Sequence, residues 1–482
     1  MSEDLCFMPA TEMLVLYRNR SLSPVEVTTA VLEHIERYEG ALNAFVTRTP
    51  DLAMDQARAS EAAYVSGDAG PLQGVPLSIK DLTPTRGIRT TRGSLLYKDW
   101  IPDYDPPFVQ RVLDAGAVML GKTNTPEIGW KGETTNRVSG STHNPWKFGR
   151  TPGGSSGGGA AAVAAGMGPL AQGSDGAGSI RIPCGFSGIF GFKPSFGLIP
   201  QHPASALGDV SHMGPMTRTV TDSALLLNVT AGADESDRWS WSSGVDYLTA
   251  LSPDDVKGLR IAWTPDLGYS PVESEIAKIA GEASRAFVDA GAILEDANPG
   301  LADPWDIIDT IWSCGMAGIH RDDLDDVRDL IDPGRLAVIE SANRFTGTDL
   351  GNALIRRNAY YDGIRAFFTR YDLLLTPTLP CEAFPVGQAC PDAIAGQPTT
   401  YLGWTTFTYP FNLTGSPAAT VPAGFTESGL PVGLQIVGRR GADALVLSAA
   451  AAFERLRPWA QNRPDLDALL TASQAASDPA ND

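Results

Sequence analysis

Residues 153–166 read GGSSGGGAAAVAAG. By composition the first half is a flexible Gly/Ser linker. A linker separates two bodies of different character, whereas this run leads straight into the helix-forming alanines 160–165, so the alternative is a tight loop that delivers the chain to a helix N-terminus. It is not a phosphate-binding loop, because no GK[ST] follows.

Working outward, the flanking segments alternate between helix and strand. In SLSPVEV (21–27), Ser23, Pro24 and Glu26 occupy N-cap, first-turn and capping-box positions, and Val27, Val31, Ile35 and Tyr38 recur at helical spacing. A second helix is expected around residues 50–63. GVPLSIKDL (74–82) then reads as a strand with Lys80 at its C-terminal end, followed by a helix over 107–114 and the apolar run 117–120. This order is the signature of an α/β fold. Strand patterns return in YDLLLTPTLP (371–380), GSPAATVPAG (415–424) and PVGLQIVG (431–438). Residues from about 232 to 400 form a more acidic, Trp-bearing region whose charge run DDLDDVRDLIDPGR (322–335) reads as a solvated helix or loop. The tail from Thr471 lacks large apolar residues and is expected to be disordered.

Composition removes several function classes. The chain has 482 residues, 43% of them hydrophobic, which is enough to bury a large core. Its net charge of −19 argues against nucleic acid, which calls for concentrated Lys and Arg. No apolar run approaches the roughly 20 residues of a membrane span, and the acidic start MSEDLCFMPA lacks the pattern of a secretion signal, so a cytoplasmic protein is expected. Five cysteines without a CxxC spacing and five histidines without an HExxH pattern suggest neither disulfides nor a metal centre.

A second small-residue turn lies in QGSDGAGSIRIP (172–183). Gly176, Ala177, Gly178 and Ser179, followed by the β-prone IRIP, leave several backbone N–H groups around one hydroxyl, a nest able to hold a developing oxyanion. A serine nucleophile needs a base, and no histidine sits in a motif that marks it as one. Lys80 is a candidate, since desolvation at the end of an apolar strand lowers an ammonium's pKa. The alternative is a solvated surface lysine.

The segments GVPLSIKDL, GKTNTPE (121–127), NPWKFGRTPGGSSGGGAAAVAAG (144–166), GSDGAGSIRIPCGFSGIFGFKPSFG (173–197) and PFNLTGSPAATVPAGFTESGLPVGLQIVGRR (410–440), in this order, resemble the amidase signature family. The resemblance is strong from residue 74 to 197 and weak from 232 to 372. It implies a single α/β domain over residues 1–470, with a central mixed, twisted sheet flanked by helices on both sides, a variable substrate-pocket region at about 232–400, and residues 471–482 forming the tail. It also implies a Ser-cisSer-Lys triad, in which Ser179 attacks an amide carbonyl, Ser155 relays its proton and Lys80 takes it up. The peptide entering Ser155 is then expected to be cis, and Ser156 supports the site by hydrogen bonding. The oxyanion falls to the N–H groups of Gly176, Ala177, Gly178 and Ser179, where Gly176 and Ala177 depart from the commoner D-[IT]-G-G-S. Asp175 and Arg181 either pair to fix the loop or touch substrate.

The family includes glutamine-hydrolysing amidotransferase subunits. Here Thr405 in YLGWTTFT (401–408) stands where an acidic residue for glutamine's amino group is expected, which puts glutamine in doubt. The resemblance otherwise points to amidases of apolar or aromatic amides, including anilides, aliphatic amides, carbamates or esters, with no cofactor and no metal. Trp130, Trp312 and Trp404 are candidate pocket walls, with ordinary core aromatics as the alternative. Thr405 joins them, and Cys314 does so with a core reading preferred. Expected partners are a small-molecule amide and, at most, a second copy of the chain, as monomer or homodimer. A non-catalytic or obligate-complex subunit is the second reading. A Ser-His-Asp esterase is disfavoured by the missing G-x-S-x-G elbow.

Overall fold

Extended strands turn alternate side chains to opposite faces, and the apolar segments of this chain use that rule to build a sheet covered on both sides. The structure is a computed structural model and describes residues 2–476. The strands of its main sheet are β1 (Phe45–Arg48), β2 (Pro76–Lys80), β3 (Val118–Thr123), β4 (Leu170–Asp175), β5 (Phe190–Lys193), β6 (His212–Thr217), β7 (Arg260–Trp263), β8 (Ile293–Asp296), β9 (Leu373–Pro377), β10 (Ala418–Phe425) and β11 (Pro431–Gly438). They form one 11-stranded sheet in the order β1-β3-β2-β4-β6-β5-β10-β11-β9-β7-β8. The sheet is mixed: β2 runs parallel to both β3 and β4, β4 is antiparallel to β6, and the far edge β9-β7-β8 is parallel again.

Alternation assigns each face its own core. Leu77, Ile79 and Met119 join one cluster with Val112 of the helix Pro107–Asp114, Leu225 of Val220–Thr230 and Leu447 of Asp443–Leu456. Val118 and Leu120 turn the other way, against Val27, Val31, Ile35 and Tyr38 of the helix Pro24–Leu42. That helix begins at the Ser23 capping box, as its sequence predicts. Burying each Leu or Ile is worth about 1.5–3 kcal/mol, so a one-residue slip of β2 or β3 would reverse both faces at once.

Three local readings differ from the structure. IRIP is helical, not extended: a helix runs over Arg181–Ser187 because the Asp175 carboxylate accepts the N–H groups of Gly178 and Ile180 where the helix begins. Besides the strand expected at 371–380, which is β9, the acidic region 232–400 contributes β7 and β8 to the same sheet. Thr471 to Ala476 belong to a helix, Leu466–Ala476, held down by buried Leu466 and Leu469 and by Asp467, which accepts from Arg37 and Tyr38. The rest of the expected disordered tail lies outside the described residues. The charge run 322–335 forms short, mostly exposed helical turns before Asp332 caps the helix Pro333–Ser341. Among the described residues, no helix is long and apolar enough to cross a membrane.

Candidate active site

The C-terminal ends of the parallel strands β2 and β4 lie side by side, a position where α/β sheets commonly bind ligands. The alternation that sends Leu77 and Ile79 into one core sends Lys80 to the opposite face, beside the helix Gly157–Ala164. Lys80 is fully buried, and its Nζ stands 2.8 Å from Ser155 Oγ and 3.0 Å from Ser174 Oγ. Burial pulls its ammonium down to about 7, with Asp175 opposing the shift. Neutral and charged forms are therefore both accessible near neutral pH.

The opening glycines are there because the backbone must pass close to its neighbours. A Cβ on Gly158 would lie 2.4 Å from both Ala44 O and Asn124 N, a contact no side chain could occupy. This packing sets the start of the helix Gly157–Ala164 against β3 and β4 and makes the linker reading untenable. The Gly154–Ser155 peptide is cis. Ser156 ties the two turns together: its N–H donates to Ser179 O, while its Oγ donates to Ser174 O and accepts from Ser174 N.

The second turn is fixed from below. Asp175 and Arg181 are fully buried and paired, with Arg181 Nε and Nη2 each 3.0 Å from the carboxylate. Arg181 also donates to Thr408 O, Gln435 Oε1 and Asn412 Oδ1, and Asn412 Nδ2 donates back to Asp175. Burial pushes the Asp175 carboxyl up, but Arg181, Lys193 and Asn412 together hold it well below the usual carboxylate range. Of the two readings of this pair, the loop-fixing one matches the geometry. Gly178, at φ +134°, has no room for a Cβ, which would meet Thr408 Oγ1 at 2.4 Å. Its N–H is already given to Asp175 at 2.7 Å. Of the four donors expected around Ser179, Gly178 is thus engaged, while among the described residues no acceptor takes the N–H of Gly176, Ala177 or Ser179.

Ser155, Ser174, Gly176 and Ser179 open onto one cavity of about 300 Å³. Comparison with known proteins bears on what this arrangement is. The amidase family model matches residues 26–447. The chain is 42% identical to an acylamidase of Rhodococcus erythropolis, over 98% of this chain and 99% of the relative. It is similar at 37% identity to a glutamyl-tRNA(Gln) amidotransferase subunit of Moorella thermoacetica, over 96% and 99%. The crystal structure of a bacterial aryl acylamidase of the amidase signature family superposes with a TM-score of 0.88 at 34% identity, covering 94% of this chain and 97% of that one. The chain belongs to the amidase signature family. It is an amide-hydrolysing enzyme.

The amidase's cavity corrects the pocket expected from its sequence. Trp312 does border it, with Met316 and Ile319 one and two turns further along and past the helix Trp305–Gly318. Cys314 is half-buried on the same helix and does not, because it lies off the face that carries Trp312, Met316 and Ile319. Trp130 is buried against Tyr401, with the ring centroids 5.8 Å apart. Trp404 is packed between Phe186 and Phe384. Thr405 is buried and donates to Leu402 O. These last three are interior residues. The remaining walls include Leu82, at the end of the quoted GVPLSIKDL, and Arg92, Ile128 and Leu207, from segments that carried no sequence signal. Sequence reasoning also missed Ser174, although its alternation with Gln172 at the end of β4 was visible, and Asn412, which sits inside the quoted PFNLTGSPAA.

His202 is exposed at the cavity's edge against Tyr104. His212, beside Asp175, is tied by Nδ1 to Val210 O, and burial holds it well below its ordinary value, hence neutral. Among the described residues, no group of three or more His, Cys, Asp or Glu could hold a metal ion, and no disulfide is formed.

Proposed function

We propose that this amidase hydrolyses small apolar or aromatic amides through an acyl-enzyme on Ser179. The observation that carries the reading is a fully buried Lys80, drawn down to about 7, 2.8 Å from a serine that shares a cavity with Ser179. In the proposed sequence, Ser179 Oγ bonds to the amide carbon as its proton passes to Ser155 Oγ and the proton of Ser155 passes to Lys80 Nζ. The carbonyl oxygen becomes an oxyanion facing the N–H groups of Gly176, Ala177 and Ser179; such donors are each worth about 3–4 kcal/mol in related chemistry. Collapse of the tetrahedral adduct breaks the C–N bond, and the departing amine takes a proton back along the same relay. Water then cleaves the ester by the reverse route, releasing the acid and restoring Ser179. Asp175 and Arg181 act through the turn they hold.

The apolar walls Leu82, Ile128, Leu207 and Trp312 favour apolar or aromatic groups around the scissile bond. The second reading, an amidotransferase-like subunit that works only within a complex, is supported by the Moorella relative but disfavoured by Thr405, a neutral and buried residue where glutamine recognition calls for an acid. A panel of anilides, aliphatic amides, esters, carbamates and glutamine on the purified chain, with a sulfonyl fluoride label mapped by mass, tests both. Turnover of anilides with the label on Ser179 is the expected result. A label on another serine, or glutamine as the preferred substrate, overturns the proposal.

A further inference from the structure

Arg92 is a cation at the wall of the catalytic cavity that the chemistry just described does not use. It borders the same cavity as Ser155 and Ser179. Its guanidinium carbon lies 5.0 Å from the ring centre of Tyr97 and 4.7 Å from that of Trp100, so two aromatic faces fix its position. Its Nε is buried with no acceptor, and among the described residues no carboxylate lies within ion-pairing distance of it. Arg218 and Arg335 also leave a buried Nε without an acceptor, but each donates elsewhere. Arg181 is paired with Asp175, Arg335 with Glu127, and Arg218 donates to four main-chain carbonyls.

The backbone at this point is also built for the purpose. Arg92 has φ +53°, a left-handed conformation that costs a non-glycine residue about 1–2 kcal/mol. Two main-chain bonds hold it there: its N–H donates to Asp81 O at 3.1 Å and its carbonyl accepts from Ile128 N at 2.8 Å. Ile128, itself at φ +52°, borders the cavity as well. Strained backbone of this kind is retained where surrounding structure over-determines it, commonly at ligand sites.

Resting on the amidase reading above, we propose that Arg92 is the substrate-binding cation of this site, and that the preferred amides carry a carboxylate separated from the scissile bond by an apolar spacer. A planar guanidinium matches a carboxylate with two parallel hydrogen bonds, and removal from water strengthens the pair. The walls between, including Leu82, Ile128 and Trp312, suit a spacer such as a phenyl ring, and a cavity of about 300 Å³ limits it to that size. Arg92 is a specificity residue here, and takes no part in the proton relay.

The test compares matched pairs on the full chain: 4-acetamidobenzoate against its neutral methyl ketone, and N-phenylsuccinamate against its neutral ketone counterpart, so that the carboxylate is offered from either side of the amide. Binding of benzoate against benzyl alcohol, by calorimetry, reads the same preference without turnover. For at least one pair, kcat/KM is expected to favour the carboxylate by about tenfold or more, through KM, with benzoate binding correspondingly tighter than benzyl alcohol. Arg92→Gln is expected to collapse that ratio to within about threefold, and Arg92→Lys to restore part of it. No preference in the wild-type protein, or a ratio unchanged in Arg92→Gln, overturns the proposal, and the wild-type ratio decides even if the variant fails to fold. Benzoate binding that depends on Arg92 in a protein that turns over no amide would sink the amidase chemistry and leave the anion site standing.

Discussion

Two lysines stand at the C-terminal ends of neighbouring strands, Lys80 last on β2 and Lys122 next to last on β3, and they are alike in almost every respect but one. Lys80 on β2 and Lys122 on β3 are both fully buried, and burial draws both down to about 7. Lys122 is enclosed by the main-chain oxygen of Thr83 and the hydroxyls of Thr85 and Thr90, with Asp81 as its charged neighbour. Lys80 instead faces Ser155 and Ser174, and both of those serines open onto the cavity. The lesson is that a shifted pKa does not by itself mark a functional group. What separates them is whether the group's hydrogen-bond partner is in reach of a substrate.

This contrast can be broken at several points. The largest effect is expected from Lys80→Met, which should lower amide hydrolysis by about 10³-fold or more and hydrolysis of activated esters by less, since their leaving groups need no proton. Lys122→Met should keep most of its kcat per folded molecule and instead lose stability, by about 1–3 kcal/mol, because Thr83 O and the hydroxyls of Thr85 and Thr90 lose the buried donor they share. Initial rates on paired anilide and nitrophenyl ester substrates, beside urea unfolding, separate the two. Comparable loss of amide rate in both variants would erase the distinction.

Asp175→Asn is next in size. The charge that Arg181 needs disappears while hydrogen bonding is partly kept, so melting should fall sharply and kcat by about 10²-fold, with KM changing less. A smaller and opposite effect on stability is expected from Lys80→Met. An ammonium with a folded pKa near 7 and an unfolded value of 10.5 binds a proton on unfolding anywhere between, so its burial weakens the fold most at and below pH 7 and the burden lifts as pH rises toward 10.5. Removing Lys80 should therefore raise the melting temperature at pH 7 by a few degrees, about what a 1 kcal/mol change produces in a chain of this size. Calorimetry at pH 7 and pH 10 checks the sign. The smallest change expected is Trp312→Ala, a rise in KM for anilides with little change for short aliphatic amides.

Much of this site was legible in the sequence because its parts are local. Lys80 is marked by the alternation of its own strand, and Ser179 by a turn of small residues; Asp175 and Arg181 flank that turn within seven positions of one another. The resemblance to a family supplied Ser155, which residue chemistry alone did not single out. The pocket was not legible, because residues as distant as Arg92, Ile128, Leu207 and Trp312 meet only when the sheet brings their loops together. Trp130, Trp404 and Thr405 were misplaced for the same reason, since an aromatic or hydroxyl side chain fits a core and a pocket equally well until its neighbours are known. The helix at 181–187 was hidden because its start is stabilised by a side chain, Asp175, rather than by its own β-branched opening.

The most direct test is the pH profile of anilide hydrolysis in the wild-type protein and in Lys122→Met. Because the relay needs a neutral Lys80, the rate should be level above its pKa and fall by about tenfold per pH unit on the acid side, with the break near 7 in both proteins. The break should be insensitive to Lys122. A profile flat down to pH 5, or an acid limb that disappears in Lys122→Met, would contradict the assignment of Lys80 as the base.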